Sequence, residues 1–309
     1  MRITETAIPG LLIIDLDVHG DNRGWFKENW QREKFTGLAP ELASFQPVQN
    51  NISFNHAGAT RGLHAEPWDK LVSVAQGKIF GAWCDLREGS DSFGEVVTHE
   101  VGPETAVFVP RGVANGFQAL EETSYCYLVN EHWSAEARYA AVNLNIVDWP
   151  LEPTEISEKD KQHPALKDVS PMPARRILVT GANGQLGRAL KRLLADAELC
   201  THADFDITDP PERNWKQYSA IINCAAYNDV NGAENDRAAA WAVNAEAPAR
   251  LARIAAENQL TLVHVSSDYI FDGASEVHSE EELPSPLSAY GSSKAAGDTA
   301  AQTAPQHYV

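Results

Sequence analysis

Residues 176–197 read RILVTGANGQLGRALKRLLADA: an apolar run of strand length, a turn carrying Gly181, Gly184 and Gly187, then an amphipathic helical stretch. Glycines in such a turn let the backbone bend tightly and approach a pyrophosphate, and the helix N-terminus offers it unpaired N–H groups. The same alternation continues as AIINCAA, an alanine-rich helical stretch over 233–257, and LTLVHVSS, which is the pattern of a parallel α/β sheet. This unit opens only at Arg176 of a 309-residue chain. The residues before it need a different fold.

Up to about residue 150 the apolar runs are short and separated by turn signals: GLLIIDL, KLVSVAQGKIFGAWCDL, GEVVTHEV, TAVFVPRGVANGF and TSYCYLVN. Such runs predict an antiparallel sandwich or barrel. The chain therefore reads as multidomain, all-β first and an α/β unit of Rossmann type second. The segment 151–174 is rich in proline and charge, and the boundaries are set at 1–170, a linker end at 171–174, and 175–309.

A formal charge of −18 argues against a nucleic-acid or anionic-membrane surface, since those partners are held by fields of Lys and Arg. No signal-peptide pattern or membrane-length apolar run is present, so a cytoplasmic location is expected. Cys84, Cys126, Cys200 and Cys224 are widely spaced in apolar stretches with no CxxC pair. They are read as reduced core residues.

Near the end, VHVSSDYIFDG brings Ser266, Ser267 and Asp268 to a strand terminus, and SAYGSSKAAG places Tyr290 and Lys294 four apart. On a helix those two share a face, and a lysine beside a tyrosine favours proton donation from the phenol. A serine, a tyrosine and a lysine beside a nicotinamide form a relay for carbonyl reduction, with hydride from the cofactor and a proton from tyrosine.

ILVTGANGQLG, DITDP, AIINCAAYNDVNGAE, AVNAEAPARLA, LVHVSSDYIFDG and PLSAYGSSKAAGD resemble, in that order, the dTDP-4-dehydrorhamnose reductases, extended members of the short-chain dehydrogenase/reductase superfamily. The resemblance implies catalytic roles for Ser267, Tyr290 and Lys294 and a substrate contact at Asp268. It implies NADPH or NADH at Gly181, Gly184, Gln185, Leu186, Gly187, Asp206, Ile207, Ala225, Ala226 and Tyr227. Thr201 and His202 stand near the place where an acidic residue would hold the ribose of NAD, so cofactor preference stays open. Reductases of this family continue for about as many residues again, which sets the expectation that this half is incomplete. The terminal HYV is expected to begin the next strand.

In the first half, ATRGLHAEPWDKLVSV puts Arg61, His64 and Lys70 on and around a strand. A neutral histidine can remove a proton beside a ketone and an ammonium can stabilise the enolate, but spacing alone does not assign those roles. The wider text does: ETAIPGLLIIDLDVHGDNRGWFKENW, PVQNNISFN, RGLH, KLVSVAQGKIFGAWCDLREGSDSFGE, VFVPRGVANGF, YCYLVNEHWSAE and DWPLEPTEISEKDKQHPAL resemble the dTDP-4-dehydrorhamnose 3,5-epimerases. That resemblance implies a cupin-type jelly roll and a homodimer that exchanges edge strands. It implies His64 as general base, Asp160 as its orienting carboxylate, Tyr127 as the acid on the opposite face of the sugar and Lys70 as enolate stabiliser. Arg23, Glu28, Gln49, Asn51, Arg61, Asn115 and Lys159 would hold the dTDP-sugar. No metal or cofactor is expected here, because His64 is followed by Ala65 and Glu66 rather than by an HxH pair.

This sequence departs from the epimerase pattern at Asn115, where a histidine is usual, at Trp133, where a tyrosine is usual, and in a shortened stretch between Arg61 and Lys70. Three readings follow: a fused epimerase and reductase with the reductase half truncated; an epimerase carrying a non-functional dinucleotide domain; and a non-catalytic sugar-nucleotide binder.

Overall fold

Alternation along the strands sorts the apolar side chains of the first half into layers. The computed structural model, which describes residues 1–135, 137–279 and 281–309, has here the strands β1 (Arg2–Glu5), β2 (Leu12–Asp15), β3 (Val18–Asp21), β4 (Gly24–Lys27), β5 (Gln49–Asn55), β6 (Thr60–Ala65), β7 (Lys70–Gln76), β8 (Ile79–Asp85), β9 (Val96–Val101), β10 (Thr105–Val109), β11 (Val113–Ala119), β12 (Thr123–Val129) and β13 (Ala140–Ala141), with short helices α1 (Arg32–Thr36), α2 (Pro40–Ala43) and α3 (Glu158–Lys161). One sheet runs β1-β2-β10-β7-β12-β5 and another β13-β6-β11-β8-β9, while β3 and β4 form a separate hairpin.

Successive side chains of a strand point to opposite faces. Val72, Trp83, Val107, Val113 and Phe117 therefore meet in one cluster drawn from both sheets, whereas Leu71 and Phe108 turn outward onto Phe35, Leu42 and Phe45 around α1 and α2. Ala82, Cys84 and Ala114 pack on the other side of their sheet under Ala140, Val142, Leu144 and Met172. Covered on both faces, β10 and β11 are buried along their whole length, which is why their sequences read as runs rather than as alternation. Burying a side chain such as Leu71 or Phe108 contributes about 1.5–3 kcal/mol.

The segment expected to end a linker is packed instead. Met172 bridges to Arg87, is 1% exposed, and belongs to a compact unit spanning Met1–Ala174.

The second unit, Arg175–Val309, contains β14 (Arg176–Thr180), α4 (Gln185–Leu193), β15 (Glu198–Cys200), β16 (Tyr218–Asn223), α5 (Val230–Asn235), α6 (Arg237–Trp241), α7 (Ala247–Asn258), β17 (Thr261–His264), α8 (Ala289–Ala301) and β18 (His307–Tyr308). Its strands pair in parallel in the order β15-β14-β16-β17-β18, and His307–Tyr308 is the strand that the terminal HYV foretold. Leu178, Ile221 and Leu262 of the sheet pack against Leu251, Ala252 and Ala255 of α7. Strand order reverses between β14 and β16, the place where open α/β sheets form a ligand crevice beyond their carboxyl ends.

Among the described residues no helix is long and apolar enough to cross a membrane. All four cysteines are free, Cys84, Cys126 and Cys200 buried but Cys224 only half-buried, which corrects its expected place in the core.

Candidate active site

Strands β5, β6, β7, β11 and β12 and the α3 segment enclose a cavity of about 680 Å3 lined by Asn51, Arg61, His64, Glu66, Lys70, Asn115, Tyr127, Lys159 and Asp160, among others. Asp160 reaches it because Ser157 caps the one-turn helix α3, its Oγ accepting the Asp160 N–H at 3.1 Å. Gly62 brings β6 close to β11: its φ is +118°, and a Cβ there would lie 2.5 Å from Gly116 Cα. The Gly62 N–H donates to Asp160 Oδ2 at 3.2 Å.

His64 Nε2 lies 2.8 Å from Asp160 Oδ1, across 96 residues of sequence. Burial opposes the charge on Asp160, yet the His64 hydrogen bond and charge, the Gly62 N–H and nearby His163 more than offset it, so the carboxyl sits below its usual range. An ionised Asp160 accepts a proton-bearing Nε2 and leaves Nδ1 of a neutral His64 as the basic atom. Lys70 is 5% exposed, pairs with Glu66 at 2.5 Å and lies over the Tyr127 ring, 4.6 Å from its centroid. Burial, then the Glu66 charge, push the Tyr127 phenol up, with Arg61 opposing. The cavity thus holds an imidazole, its carboxylate partner, a phenol and an ammonium.

Other expected ligands fall differently. Arg23 sits at the tip of the β3–β4 hairpin, 89% exposed and paired with Asp21, and Glu28 pairs with Lys34 in a separate recess with Asp17 and Phe26. Neither lines the cavity of its own chain. Gln49 is tied to Asn51 at 2.9 Å and to the Trp133 N–H at 3.2 Å, so Trp133 stands beside the expected ligands with a 65% exposed ring. Asn115 lines the wall, but its amide is engaged: Oδ1 accepts from Trp83 Nε1 at 2.9 Å and Nδ2 donates to the Tyr125 hydroxyl at 3.1 Å. It fixes Tyr125 rather than reaching outward.

In the second unit Gly181 has φ +69° and a Cβ there would lie 2.7 Å from the Ala225 N, so the turn after β14 meets the Ala225–Tyr227 segment after β16 at the strand-order reversal. Gly184 is the N-cap of α4 and supplies no side-chain cap to the turn carrying Gln185, Leu186 and Gly187. Asp206 binds the Thr208 N–H and hydroxyl at 2.8 and 2.7 Å, and Ile207 is buried. Tyr227 N–H donates to Asn244 Oδ1 at 2.8 Å. His202 is exposed, and Thr201 bonds Asp204.

Ser267 caps the turn after β17 and donates to Asp268 at 3.2 Å. Tyr290 opens α8 and is 7% exposed. One turn on, Lys294 donates to the Val265 carbonyl at 2.5 Å, which ties it to the same end of β17. Burial pulls the Lys294 ammonium below its usual range, with Asp298 opposing.

Residues 5–168 match the family model described as dTDP-4-dehydrorhamnose 3,5-epimerase, more than half of the chain. The chain belongs to the dTDP-4-dehydrorhamnose 3,5-epimerase family. Residues 175–309 match a second model, the RmlD substrate binding domain. A relative from Streptococcus pyogenes, "Protein RmlC homolog", is 52% identical over 53% of this chain and 89% of its own length. The crystal structure of RmlC from Streptococcus suis in complex with dTDP-D-xylose is 48% identical, covers 56% of this chain and 94% of that one, and superposes with a TM-score of 0.52. A dTDP-4-dehydrorhamnose reductase of Mycobacterium tuberculosis is 41% identical over 41% of this chain. The chain spans 45% of that reductase's length.

Sequence reasoning missed three groups in and around these sites. His163 stacks edge-on against His64 with ring centroids 5.0 Å apart, and burial, then the His64 charge, lower its pKa, with Asp160 opposing. Its place three residues after Asp160, just past the end of α3, was an available signal. Glu66 had none beyond its nearness to His64. In the second unit His264 is buried between Asn223 Nδ2, 3.0 Å from its Nδ1, and Asp298 Oδ1, 3.6 Å from its Nε2. It lies on a strand whose apolar run gave no hint of an internal histidine pair.

Proposed function

We propose that the first unit epimerises dTDP-4-dehydro-6-deoxyglucose at C3 and C5. The observation that carries this is the 2.8 Å His64–Asp160 pair in one cavity with Lys70 and Tyr127. His64 Nδ1 takes the proton beside the C4 ketone, and Asp160 stabilises the imidazolium that results. Lys70 stabilises the enolate oxygen. Tyr127 delivers a proton to the opposite face, which inverts the centre. No step calls for a cofactor. Solvent deuterium incorporated at C3 and C5 of the sugar tests this directly, and its absence in the wild type would leave only a non-catalytic sugar-nucleotide binder.

The two-sheet architecture is read as a cupin-type jelly roll acting as a homodimer. Arg23 and Glu28 would then complete the cavity of the partner copy, consistent with the exposed Trp25 and Phe26 on their hairpin and Ile52 and Phe54 on edge strand β5. Mixing Arg23→Ala with His64→Ala subunits tests this: hybrid dimers that exchange hairpins regain one intact site, and unexchanged ones do not.

For the second unit we propose NADPH or NADH binding and reduction of the C4 ketone, as the Rossmann part of a short-chain dehydrogenase/reductase. The residues fit the cofactor in that the first turn of α4 lacks a side-chain cap, leaving N–H groups for a pyrophosphate. Bound there, it would supply hydride to the ketone carbon. Tyr290 donates the proton to oxygen, Lys294 holds that phenol's electrostatic environment, and Ser267 and Asp268 orient the sugar. Oxidation of NADPH or NADH by the epimerised ketosugar, lost in Tyr290→Phe, is the test. A cytoplasmic location fits two such activities on one nucleotide sugar.

A further inference from the structure

Between β6 and β7 the chain makes only a four-residue connection, Glu66 to Asp69. The turn is held rigidly: Asp69 accepts the Arg111 N–H at 2.8 Å and Asn130 Nδ2 at 2.9 Å, and Trp68 packs edge-on against Tyr139. Its first residue puts a carboxylate on the cavity wall. Glu66, with an 18% exposed side chain, meets the 7% exposed Lys70 ammonium at 2.5 Å, and that ammonium rests over the Tyr127 ring.

We propose that Glu66 is a positioning residue of the epimerase site: its carboxylate anchors the Lys70 ammonium over the Tyr127 ring. The proposal rests on the epimerase reading for its catalytic consequence. Lys70 has a long flexible stem, and a fixed anion at its tip removes the freedom that would otherwise smear the charge meant for the enolate. The groups facing Tyr127 are Glu66 and Tyr139 from the loops, Lys70 from β7, Arg61 and His64 from β6, and Tyr125 on its own strand. Glu66 and Arg61 act in opposite senses on the phenol, the Glu66 effect being the larger. Glu66 also pushes up the Tyr125 and Tyr139 phenols, behind burial in both cases.

The experiment compares wild type, Glu66→Gln, Tyr127→Phe and the double variant across neutral to alkaline pH, by two readouts on the full chain. Deuterium exchange into the ketosugar should fall roughly 10- to 100-fold in Glu66→Gln, the worth of one charge-assisted hydrogen bond. The alkaline limb of its profile should move to lower pH, because a phenolate no longer repelled by a carboxylate forms more easily. The double variant should be slower than Tyr127→Phe alone, because the ammonium that Glu66 anchors serves the enolate whichever group reprotonates it. The second readout is the ultraviolet absorbance of phenolate, taken as the difference from Tyr127→Phe, which needs no turnover. Glu66→Gln should ionise Tyr127 at lower pH. If wild type exchanges no deuterium, the epimerase reading fails while the absorbance still decides the Glu66 claim. A Tyr127 ionisation unmoved by Glu66→Gln overturns the proposal, as does a loss of rate with the alkaline limb in place.

Discussion

The two candidate sites are assembled in opposite ways. In the first unit a histidine on β6 pairs with a carboxylate 96 residues away, and the cavity wall draws on five strands and a capped helical turn. In the second, Tyr290 and Lys294 are one helical turn apart, and the glycine turn lies between consecutive elements. Non-local assembly gives a hydrogen-bonded polar pair enclosed by packing, whereas local assembly gives motifs displayed at strand ends. The first kind of site should therefore be sensitive to charge and the second to backbone space.

The largest expected effect is His64→Ala, which should cut solvent deuterium exchange by roughly 10²- to 10⁴-fold. Near-wild-type exchange would break the contrast by removing the first site's chemistry. Acidification comes next. Burial, helped by the Lys294 charge, lowers His264 to about 3, so unfolded chains bind a proton that the folded second unit refuses as pH falls from about 6.5 towards 3. Stability is lost across that window, offset at its acid end by Asp298 beside His264, whose carboxyl burial holds above its usual range. Asp160 is shifted in the same direction but from a lower starting range: its stabilisation is intact above the ordinary aspartate range and disappears only below it. His163 adds a loss of the same sign as His264 in the first unit. Proteolysis near pH 5 followed by mass spectrometry should thus cut within 175–309 first, and earlier cutting within 1–174 would reverse the ranking.

Asp160→Asn should slow exchange roughly 10- to 100-fold, the worth of one charge-assisted hydrogen bond. Its urea midpoint should also lose part of its pH dependence below pH 4. A variant with wild-type kinetics would mean that packing alone orients His64. The smallest effect is Gly187→Ala. Its Cβ would lie 2.5 Å from the Gly181 carbonyl and 2.7 Å from Ala182 Cα, so overpacking should cost about 1–3 kcal/mol in the second unit and weaken dinucleotide binding. Fluorescence titration with NADH reads the latter. Deuterium exchange by the first unit should be untouched, and a matching loss there would show that the sites are coupled.

What was legible in the sequence follows the same division. The glycine turn, the Tyr290–Lys294 spacing and the terminal strand could be read because each is set by neighbours within a turn or two. In the first half the apolar runs foretold β2, β7 to β12 and an antiparallel all-β unit, sandwich or barrel. They did not separate the inner layer of Val72 and Trp83 from the outer layers of Leu71 and Cys84, which only sheet pairing decides. Resemblance supplied His64, Lys70, Tyr127 and Asp160, and these converge on one cavity. Arg23 and Glu28 do not join them there. The engaged amide of Asn115 and the buried His264 were invisible because each depends on what lies across a sheet, not along the chain, whereas the Glu66–Lys70 pair, only four residues apart, was local but carried no signal that both side chains face the cavity.

The segment from Ala140 to Met172 closes the outer layer of the five-stranded sheet and also carries Asp160. A ribosome makes the His64 strand first and the Asp160 turn nearly a hundred residues later, several seconds at about 5–20 residues per second. Until that last stretch docks, the histidine has no carboxylate to fix its tautomer and the sheet has no cover. A chain stalled or clipped before Asp160 would therefore lack the carboxylate as well as much of the cover, so enzyme activity reports that the last stretch of the first unit has docked.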